Sequence, residues 1–397
     1  MKVNSILNYI YIIIAILWNP VREFFINIDG ANRTIIIITI LVCLLNIQKK
    51  SFITLFKYST VKIWGIWVLY ATLNSWLQGS FDEHGLFMTA MLLVVHPYVT
   101  MLIVMHEYIK NEKKLLQLLI YTYVCFGLLY ISNLTGFQIS SDERVIESFG
   151  NGQAISMTVL IFIACLAWKN GYINKVKLSF VLFISLFMIV YISTRKAFAG
   201  SMFLILVTIL SSMNFKLISI IKTVVIISVL LVPVTYVLDN TVIGERFNNI
   251  EEEGNRYNKS DIDALKYLGD RAIQYSAAPK YFFENPISGI GLTNYVNKTP
   301  SYYKLHSELL VQLVELGLIG FFLFVSFHYK IASSLLEYIK KTKNINGQAF
   351  YLLCGWILVI FLSFTTWTYQ FNKYFIIYGI LIGELIKYEN SNPRKIR

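Results

Sequence analysis

Long apolar runs separated by short polar segments dominate the chain. The runs are about 14 to 22 residues long, and a helix of about 20 residues crosses a hydrocarbon core of about 30 Å. The pattern predicts an all-α, polytopic membrane protein with about 12 transmembrane helices. The predicted spans are residues 6–19, 34–47, 62–78, 86–105, 115–134, 153–168, 178–193, 197–213, 219–238, 307–327, 349–366 and 374–386.

The composition excludes a soluble protein. Hydrophobic residues make up 56% of the 397 residues, charged residues only 15%, and the mean hydropathy is +0.58. Soluble domains carry about 25% charged residues. A net charge of +12 would suggest nucleic acid as the partner of a soluble protein, but here the basic residues lie mainly at helix ends. We therefore expect a lipid bilayer and no nucleic acid as partner, and one integral domain over residues 1–397.

The basic residues also predict the orientation in the membrane. With the N-terminus inside, 21 Lys and Arg residues fall on the inner side and six in the short outer connections. Cytoplasmic connections are the ones enriched in Lys and Arg, so both termini should be cytoplasmic. The remaining eight basic residues lie in residues 239–305, a single outer segment of 67 residues. This large extracytoplasmic loop is where soluble chemistry could occur.

The large loop contains a predicted amphipathic helix. Ser260 begins a helix-capping pattern, and apolar residues follow it at helical spacing. Arg271 lies close to the apolar face of this helix, so we expect the helix to lie over the bundle with Arg271 beside it.

A compact turn is predicted over residues 284–295. Pro286, Gly289 and Gly291 fall within this short stretch, and both residue types are typical of turns. An isolated G-x-G is too common to indicate a nucleotide site.

Arginine is concentrated on the outer side, whereas lysine supplies most of the inner charge. Orientation requires only charge, but the guanidinium group also offers a rigid bidentate fork for phosphate oxygens. The hypothesis is an outward-facing phosphate or pyrophosphate site; the alternative is pairing with acidic residues, which we favour for Arg22, Arg33 and Arg144. The outer arginines are Arg22, Arg33, Arg144, Arg195, Arg246, Arg256 and Arg271.

A tight outer turn at residues 193–197 carries the sequence S-T-R-K-A between two apolar helices. It places Arg195 and Lys196 at the outer mouth of the bundle, although basic residues are otherwise concentrated on the cytoplasmic side. A negative group should compensate them there; the alternative is that both side chains extend to lipid headgroups.

The chain re-enters the membrane at His306, in H-S-E-L-L-V-Q-L-V-E-L-G-L-I-G. On one helix His306, Gly317 and Gly320 share a face, and the two glycines would let a neighbouring helix approach closely. Glu308 lies on the opposite face together with Glu315. Glu315 would lie deep in the membrane, where a carboxylate is costly unless its side chain faces the interior of the helix bundle. The alternative is an ordinary interfacial histidine.

Taken together, these features resemble the superfamily of O-antigen polymerases (Wzy) and O-antigen ligases (WaaL). The resemblance is carried by His306 with its following glycines, the T-R turn at Arg195, and the large outer loop before the third-last helix. The loop motif is R-x14-P-x2-G-x-G, which runs from Arg271 to Gly291. The family implies a GT-C type glycosyltransferase that joins lipid-linked glycans of lipopolysaccharide or capsule on the outer face of the bacterial cytoplasmic membrane.

The resemblance also implies the roles of particular residues. His306 would be the general base, and Arg195 and Arg271 would bind the pyrophosphate of the donor. We add Lys196, Arg246 and Glu308 as candidates for substrate binding. A neutral imidazole can accept a hydroxyl proton, and arginines can stabilise a departing pyrophosphate without a metal, so we expect no metal and no cofactor.

Polymerase and ligase chemistry differ only in the acceptor, which is a lipid-linked repeat unit or lipid A core. We favour a polymerase, because ligases of the family often have a longer span than the 34 residues between Arg271 and His306. Expected partners are the polyprenyl-pyrophosphate-linked donor and acceptor, with a chain-length regulator and a flippase as further candidates. The alternative class is a lipid-oligosaccharide transporter, which should show internal repeats and several interrupted helices.

The predicted orientation can be tested by cysteine labelling. In intact spheroplasts, an Asn297→Cys variant should react with a membrane-impermeant thiol reagent, whereas a Lys341→Cys variant should react only after lysis. The parent chain, which has four cysteines of its own, gives the background. Protection at position 297 together with labelling at position 341 would contradict the orientation.

Overall fold

A computed structural model provides the structure of the chain. It describes residues 3–25, 28–80, 90–136, 143–192, 194–211, 270–298, 305–342, 347–364, 366, 368–369 and 371–391. Within those ranges the regular structure is entirely helical. The predicted all-α class is therefore confirmed for this part of the chain.

Thirteen α-helices lie in the described ranges, numbered here in chain order. A 3-10 turn (Thr54–Lys57) follows α3, and a π-helical turn (Met91–Val95) precedes α5. The helices are α1 (Val3–Phe25), α2 (Ile28–Ile47), α3 (Lys50–Ile53), α4 (Ser59–Leu77), α5 (His96–Gly136), α6 (Glu143–Lys169), α7 (Lys175–Tyr191), α8 (Arg195–Ser211), α9 (Asp270–Glu284), α10 (Asn294–Lys298), α11 (Glu308–Thr342), α12 (Gln348–Ser363) and α13 (Asn372–Ser391).

Helices overlap eleven of the twelve predicted spans, and the span 219–238 lies outside the described residues. Among the described residues, three helices are long and apolar enough to cross a membrane, or four if a pair bent by 101° at residues 47–50 is one span. The structure is thus consistent with a polytopic membrane protein, but it does not establish twelve spans. Two predicted spans, 86–105 and 115–134, share the single helix α5, which is interrupted only by a non-helical Asn111.

The chain divides into two compact units. The first consists of Met1–Leu115, Asp270–Tyr338 and Val359–Arg397, and the second of Leu116–Gly269 and Ile339–Leu358. Each unit is built from separate stretches of the sequence. A single integral domain over residues 1–397 stays a prediction.

The core of the first unit is a cluster of aromatic side chains between α4, α11 and α13. Trp64 and Trp67 are stacked with ring centroids 4.6 Å apart, and both are buried. Phe327 and Tyr378 pack on Trp64 at 4.5 and 6.5 Å. Because large rings bury much apolar area, this cluster fixes the three helices relative to one another.

The second unit is organised around the buried helix α6. The Thr158 hydroxyl donates to the Ala197 carbonyl over 3.1 Å and lies 3.1 Å from the Ser201 hydroxyl, both on α8. Phe162 stacks on Tyr351 with ring centroids 5.5 Å apart. The Thr158 contacts hold the start of α8, where Arg195 and Lys196 lie, and the stacked rings join α6 to α12.

Candidate active site

Helix α11 begins at a carboxylate that is completely buried. Glu308 accepts hydrogen bonds from the Gln312 side chain (2.5 Å) and from the backbone N–H groups of Thr368 (2.5 Å) and Tyr369 (3.3 Å). A negative group in the first turn is also favoured by the helix dipole. Gln312 in turn accepts from the Trp67 indole N–H over 2.8 Å. Since a buried carboxylate needs such donors, this network anchors the start of α11 to α4 and to residues 368–369.

His306 lies next to this anchor and is exposed, whereas Leu305, Ser307 and Glu308 are buried. The chain on both sides of the imidazole is therefore held in the protein while the ring faces outward. A side chain with this setting can meet a substrate at a fixed position. Of the two predicted site residues at the start of α11, His306 is thus exposed and Glu308 is buried.

Helix α11 is interrupted at Gly317. Its backbone has φ 64° and ψ −167°, a combination that is essentially restricted to glycine. A Cβ atom at this position would collide with the backbone of Ile287 and Gly289. The prediction that Gly317 allows a neighbouring helix to approach is therefore wrong: the glycine breaks its own helix, and the 284–295 turn lies against the break.

Four backbone hydrogen bonds join the 284–295 turn to the two sides of this break. They occupy N–H and C=O groups that a continuous helix would have bonded internally, so the interruption leaves these groups satisfied. The predicted compact turn is confirmed, with positive φ at Gly289 and Gly291. The bonds run from Ile290 N to Val314 O (3.1 Å), Gly291 N to Glu315 O (2.8 Å), Leu318 N to Pro286 O (2.9 Å) and Ile319 N to Ile287 O (3.2 Å).

Helix α4 holds the turn from another side. The Tyr70 hydroxyl lies within hydrogen-bonding distance of the carbonyls of Leu316 (2.9 Å) and Ser288 (3.2 Å), and it donates to them. Leu316 belongs to α11 and Ser288 to the turn, so Tyr70 contacts both segments. Asn74 adds a bond to the Ser288 carbonyl at 2.7 Å. Further contacts run from Leu292 N to Ser75 Oγ (3.0 Å) and from Asn294 Nδ2 to Gln78 O (3.1 Å).

Glu315 is buried, as its depth on the helix predicted. Its carboxylate accepts from the backbone N–H of Thr293 over 3.0 Å. Thr293 has φ 66°, which is uncommon for a residue with a branched side chain. The bond to Glu315 helps to hold this conformation and ties the end of the turn to α11.

The helix of the large loop differs from its predicted extent. The predicted start at Ser260 lies outside the described residues, and α9 extends to Glu284, through Pro279. Packing accounts for the extension, because the Tyr281 ring contacts Tyr295 at 5.5 Å and its hydroxyl donates to the Lys298 carbonyl over 2.6 Å.

Tyr295 occupies a buried position at this contact. Burial, with smaller contributions from Tyr281 and Glu315, raises the pKa of Tyr295 to about 12. The phenol is therefore neutral at physiological pH and acts as a packing residue beneath the turn.

The other predicted site residues occupy separate places. Arg195 and Lys196 form the start of α8 in the second unit, where both are partly buried. Two cations at a helix N-terminus are unfavourable with the helix dipole, so an anion there would be stabilised. Arg271 is the second residue of α9, but the structure does not describe its side chain. Arg246 lies outside the described residues.

No group of three His, Cys, Asp or Glu side chains that could hold a metal occurs in the described part of the chain. Residues 239–269 and 299–304 of the large loop are outside that part. The expectation of metal-free chemistry therefore stays a prediction.

Three residues of the site were missed by the sequence patterns. Gln312 follows Glu308 by four positions on one helix face, a spacing at which side chains bond, and this signal could have found it. Trp67 and Tyr70 lie more than 200 positions away along the chain, and no local pattern connects them to α11.

A substitution at the break tests the junction between α11 and the turn. Gly317→Ala should destabilise the protein by about 1–3 kcal/mol or more, because alanine strains this backbone conformation and its Cβ meets the turn. The midpoint of thermal unfolding in detergent measures the effect. Tyr70→Phe, which removes only the hydroxyl donor, should cost about 1 kcal/mol.

The matched control is Gly127→Ala in α5. A Cβ there would make only ordinary contacts, the nearest being 3.4 Å from the Met157 sulfur. Alanine is also the better helix former, so this variant should unfold at the parent temperature or above it. Equal stability of the Gly317 and Gly127 variants would show that the junction is absent.

Comparison with known proteins agrees with the resemblance found in the sequence. The family model Wzy_C, described as O-antigen ligase, matches residues 180–325, a little over a third of the chain. The match includes Arg195, Arg271, His306 and the whole junction at Gly317. A search of curated proteins found no significant match. Residues 180–325 are therefore similar to the Wzy_C O-antigen ligase domain of the Wzy/WaaL family, whose members act on lipid-linked polysaccharide.

Proposed function

We propose that the protein is a surface-polysaccharide polymerase that joins polyprenyl-pyrophosphate-linked repeat units by metal-independent, inverting glycosyl transfer. The observation that carries the proposal is the exposed imidazole of His306 beside the buried Glu308 anchor, within the range matched by the family model. A group that acts as a base must be accessible and held in position, and the exposed ring between buried neighbouring residues supports this role.

In the proposed reaction His306 accepts the proton of the acceptor hydroxyl. The hydroxyl oxygen forms the new bond to the anomeric carbon of the donor, while the bond from that carbon to the pyrophosphate oxygen breaks. The electron pair leaves with the polyprenyl pyrophosphate, whose negative charge Arg195 and Arg271 stabilise. A single displacement inverts the anomeric configuration.

Glu308 is proposed to act mainly by position. Its carboxylate bonds to protein groups on three sides, which supports a role in holding the start of α11. Direct contact of Glu308 with substrate stays a prediction, as do the substrate contacts of Lys196 and Arg246.

A ligase is the second candidate, since the matching family model is described as O-antigen ligase. The short span of 34 residues between Arg271 and His306 favours the polymerase. A transporter finds some support in the interruption of α11 at Gly317, because transporters use broken helices. The match to an enzyme family and the long outer loop favour the enzyme.

The proposed location is the bacterial cytoplasmic membrane, with both termini in the cytoplasm and the active site facing outward. The basic residues of the short connections support this orientation. The donor and acceptor would reach the site from the outer leaflet, and a flippase and a chain-length regulator would act before and with the enzyme.

The polymerase is distinguished from the ligase by its product. Purified protein given lipid-linked repeat units alone should form a ladder of polymers on a gel. His306→Ala should lower the rate by about 100- to 10,000-fold, the usual worth of general-base assistance, while still binding the donor. Asn297→Ala, an exposed change in the same loop, should retain the parent rate.

Two results would contradict this proposal. Product that forms only when lipid A core is supplied would identify a ligase. A His306→Ala variant that polymerises at the parent rate would remove the histidine from the chemistry under either assignment.

The two arginines are expected to act through their geometry as well as their charge. Arg195→Lys and Arg271→Lys should each lose most activity and still fold, because lysine cannot form the bidentate contact with pyrophosphate. The assay is the same ladder, together with the thermal unfolding midpoint.

The matched control for both is Arg33→Lys, an exposed outer arginine for which we predict no substrate contact. It should keep the parent activity. Near-normal polymer from the Arg195 or Arg271 variant would mean that the residue supplies only charge or structure.

A further inference from the structure

The first unit contains a second site, a cavity of about 920 Å³ at the ends of several helices. Among the described residues, its lining includes Lys49, His106, Lys110 and Lys114, two tyrosines and several apolar side chains, and no carboxylate. None of these residues takes part in the proposed glycosyl transfer.

The cavity lies at the far end of the first unit from the candidate active site. Tyr58 lines it and precedes α4, whereas Asn74 near the other end of α4 bonds to the 284–295 turn. At 1.5 Å per residue these positions are about 24 Å apart. Asn390 also lines the cavity, near the opposite end of α13 from the segment that bonds Glu308. The separation approaches the thickness of a hydrocarbon core, about 30 Å.

Neutral groups contact each of the three cavity lysines. The Lys49 ammonium donates to the Asn46 side chain over 2.5 Å, and that of Lys110 donates to the Ser5 hydroxyl. Lys114 lies 5.2 Å from the centre of the Tyr9 ring. Because the charges of Lys49 and Lys110 repel one another, a shared anion would lower the energy of the cluster.

Two carboxylates, Glu107 and Glu112, lie near these lysines. Glu107 attracts the charge of Lys49, but it is completely buried and accepts from Asn8 over 2.6 Å. Glu112 forms an ion pair with Lys387. Glu107 offsets part of the charge of Lys49, and the three lysines of the lining leave an excess of positive charge.

We propose that this cavity binds the phosphate headgroup of an anionic phospholipid, with an acyl chain against the apolar part of the lining. Lys49, Lys110 and Lys114 would contact the phosphate, and Leu55, Ile109 and Ile386 offer the apolar surface. A soluble phosphate would match the lysines alone. The combination of an ammonium cluster with apolar lining, about 24 Å along α4 from the turn of the candidate active site, matches a lipid of the opposite leaflet.

Lipid binding to the purified full-length protein tests the proposal. Native mass spectrometry would count phosphatidylglycerol and phosphatidylcholine bound to the parent and to a Lys49→Gln, Lys110→Gln, Lys114→Gln triple variant. A lysine near an anionic surface contributes about a fivefold change in affinity. The affinity of the triple variant for phosphatidylglycerol should therefore be lower by about 100-fold. Phosphatidylcholine binding should not change.

The matched control replaces three other lysines, Lys175, Lys177 and Lys330, by glutamine. These residues are exposed and lie outside the cavity, so phosphatidylglycerol binding should stay at the parent level. An all-arginine variant of the three cavity lysines should retain binding, which distinguishes lost charge from lost folding.

Three outcomes would overturn the proposal. The cavity variant could bind phosphatidylglycerol as the parent does, or the control could lose binding equally, which would mean general attraction of the protein surface. Inorganic phosphate that raises the unfolding temperature as much as the lipid does would identify a soluble occupant.

Discussion

The backbone hydrogen bonds between the 284–295 turn and the interrupted helix α11 are the contact on which the rest of the candidate site depends. An interruption frees N–H and C=O groups that cost several kcal/mol each if they stay unbonded in a membrane. Here the turn supplies partners for these groups on both sides of Gly317, and Tyr70 adds its hydroxyl. The glycines allow the two backbones to approach, since a Cβ on Gly289 or Gly317 would collide with the other segment.

This junction and the buried Glu308 fix α11 at two points. Glu308 and Gly317 are nine positions apart, so about 13 Å of helix is held between them. His306 is exposed and lies two positions before Glu308, the first residue of this held segment. A base that must meet an acceptor hydroxyl benefits from such support, because misplacement by about 1 Å can reduce the rate about 100-fold.

The sequence predicts much of this arrangement, but it does not predict the junction between the 284–295 turn and α11. Apolar runs predicted the helices, Pro286 and its neighbouring glycines predicted the turn, and the depth of Glu315 predicted its burial. The role of Gly317 was misjudged because a glycine pair on a helix face is equally compatible with close helix packing and with a break. The partner of the break lies about 30 positions earlier in the chain, and Tyr70 lies far from both, so only the folded structure reveals the junction.

Hydrogen–deuterium exchange of the purified protein tests the junction most directly, because it reports the backbone bonds themselves. The amides of Ile290, Gly291, Leu318 and Ile319 should exchange as slowly as those in the interior of α11, although two of them lie in a turn. Peptides from the unfolded protein, measured in denaturant, give the reference for fast exchange. Exchange of peptides covering residues 286–293 at that reference rate would contradict the docked turn, and with it the account of how His306 is held.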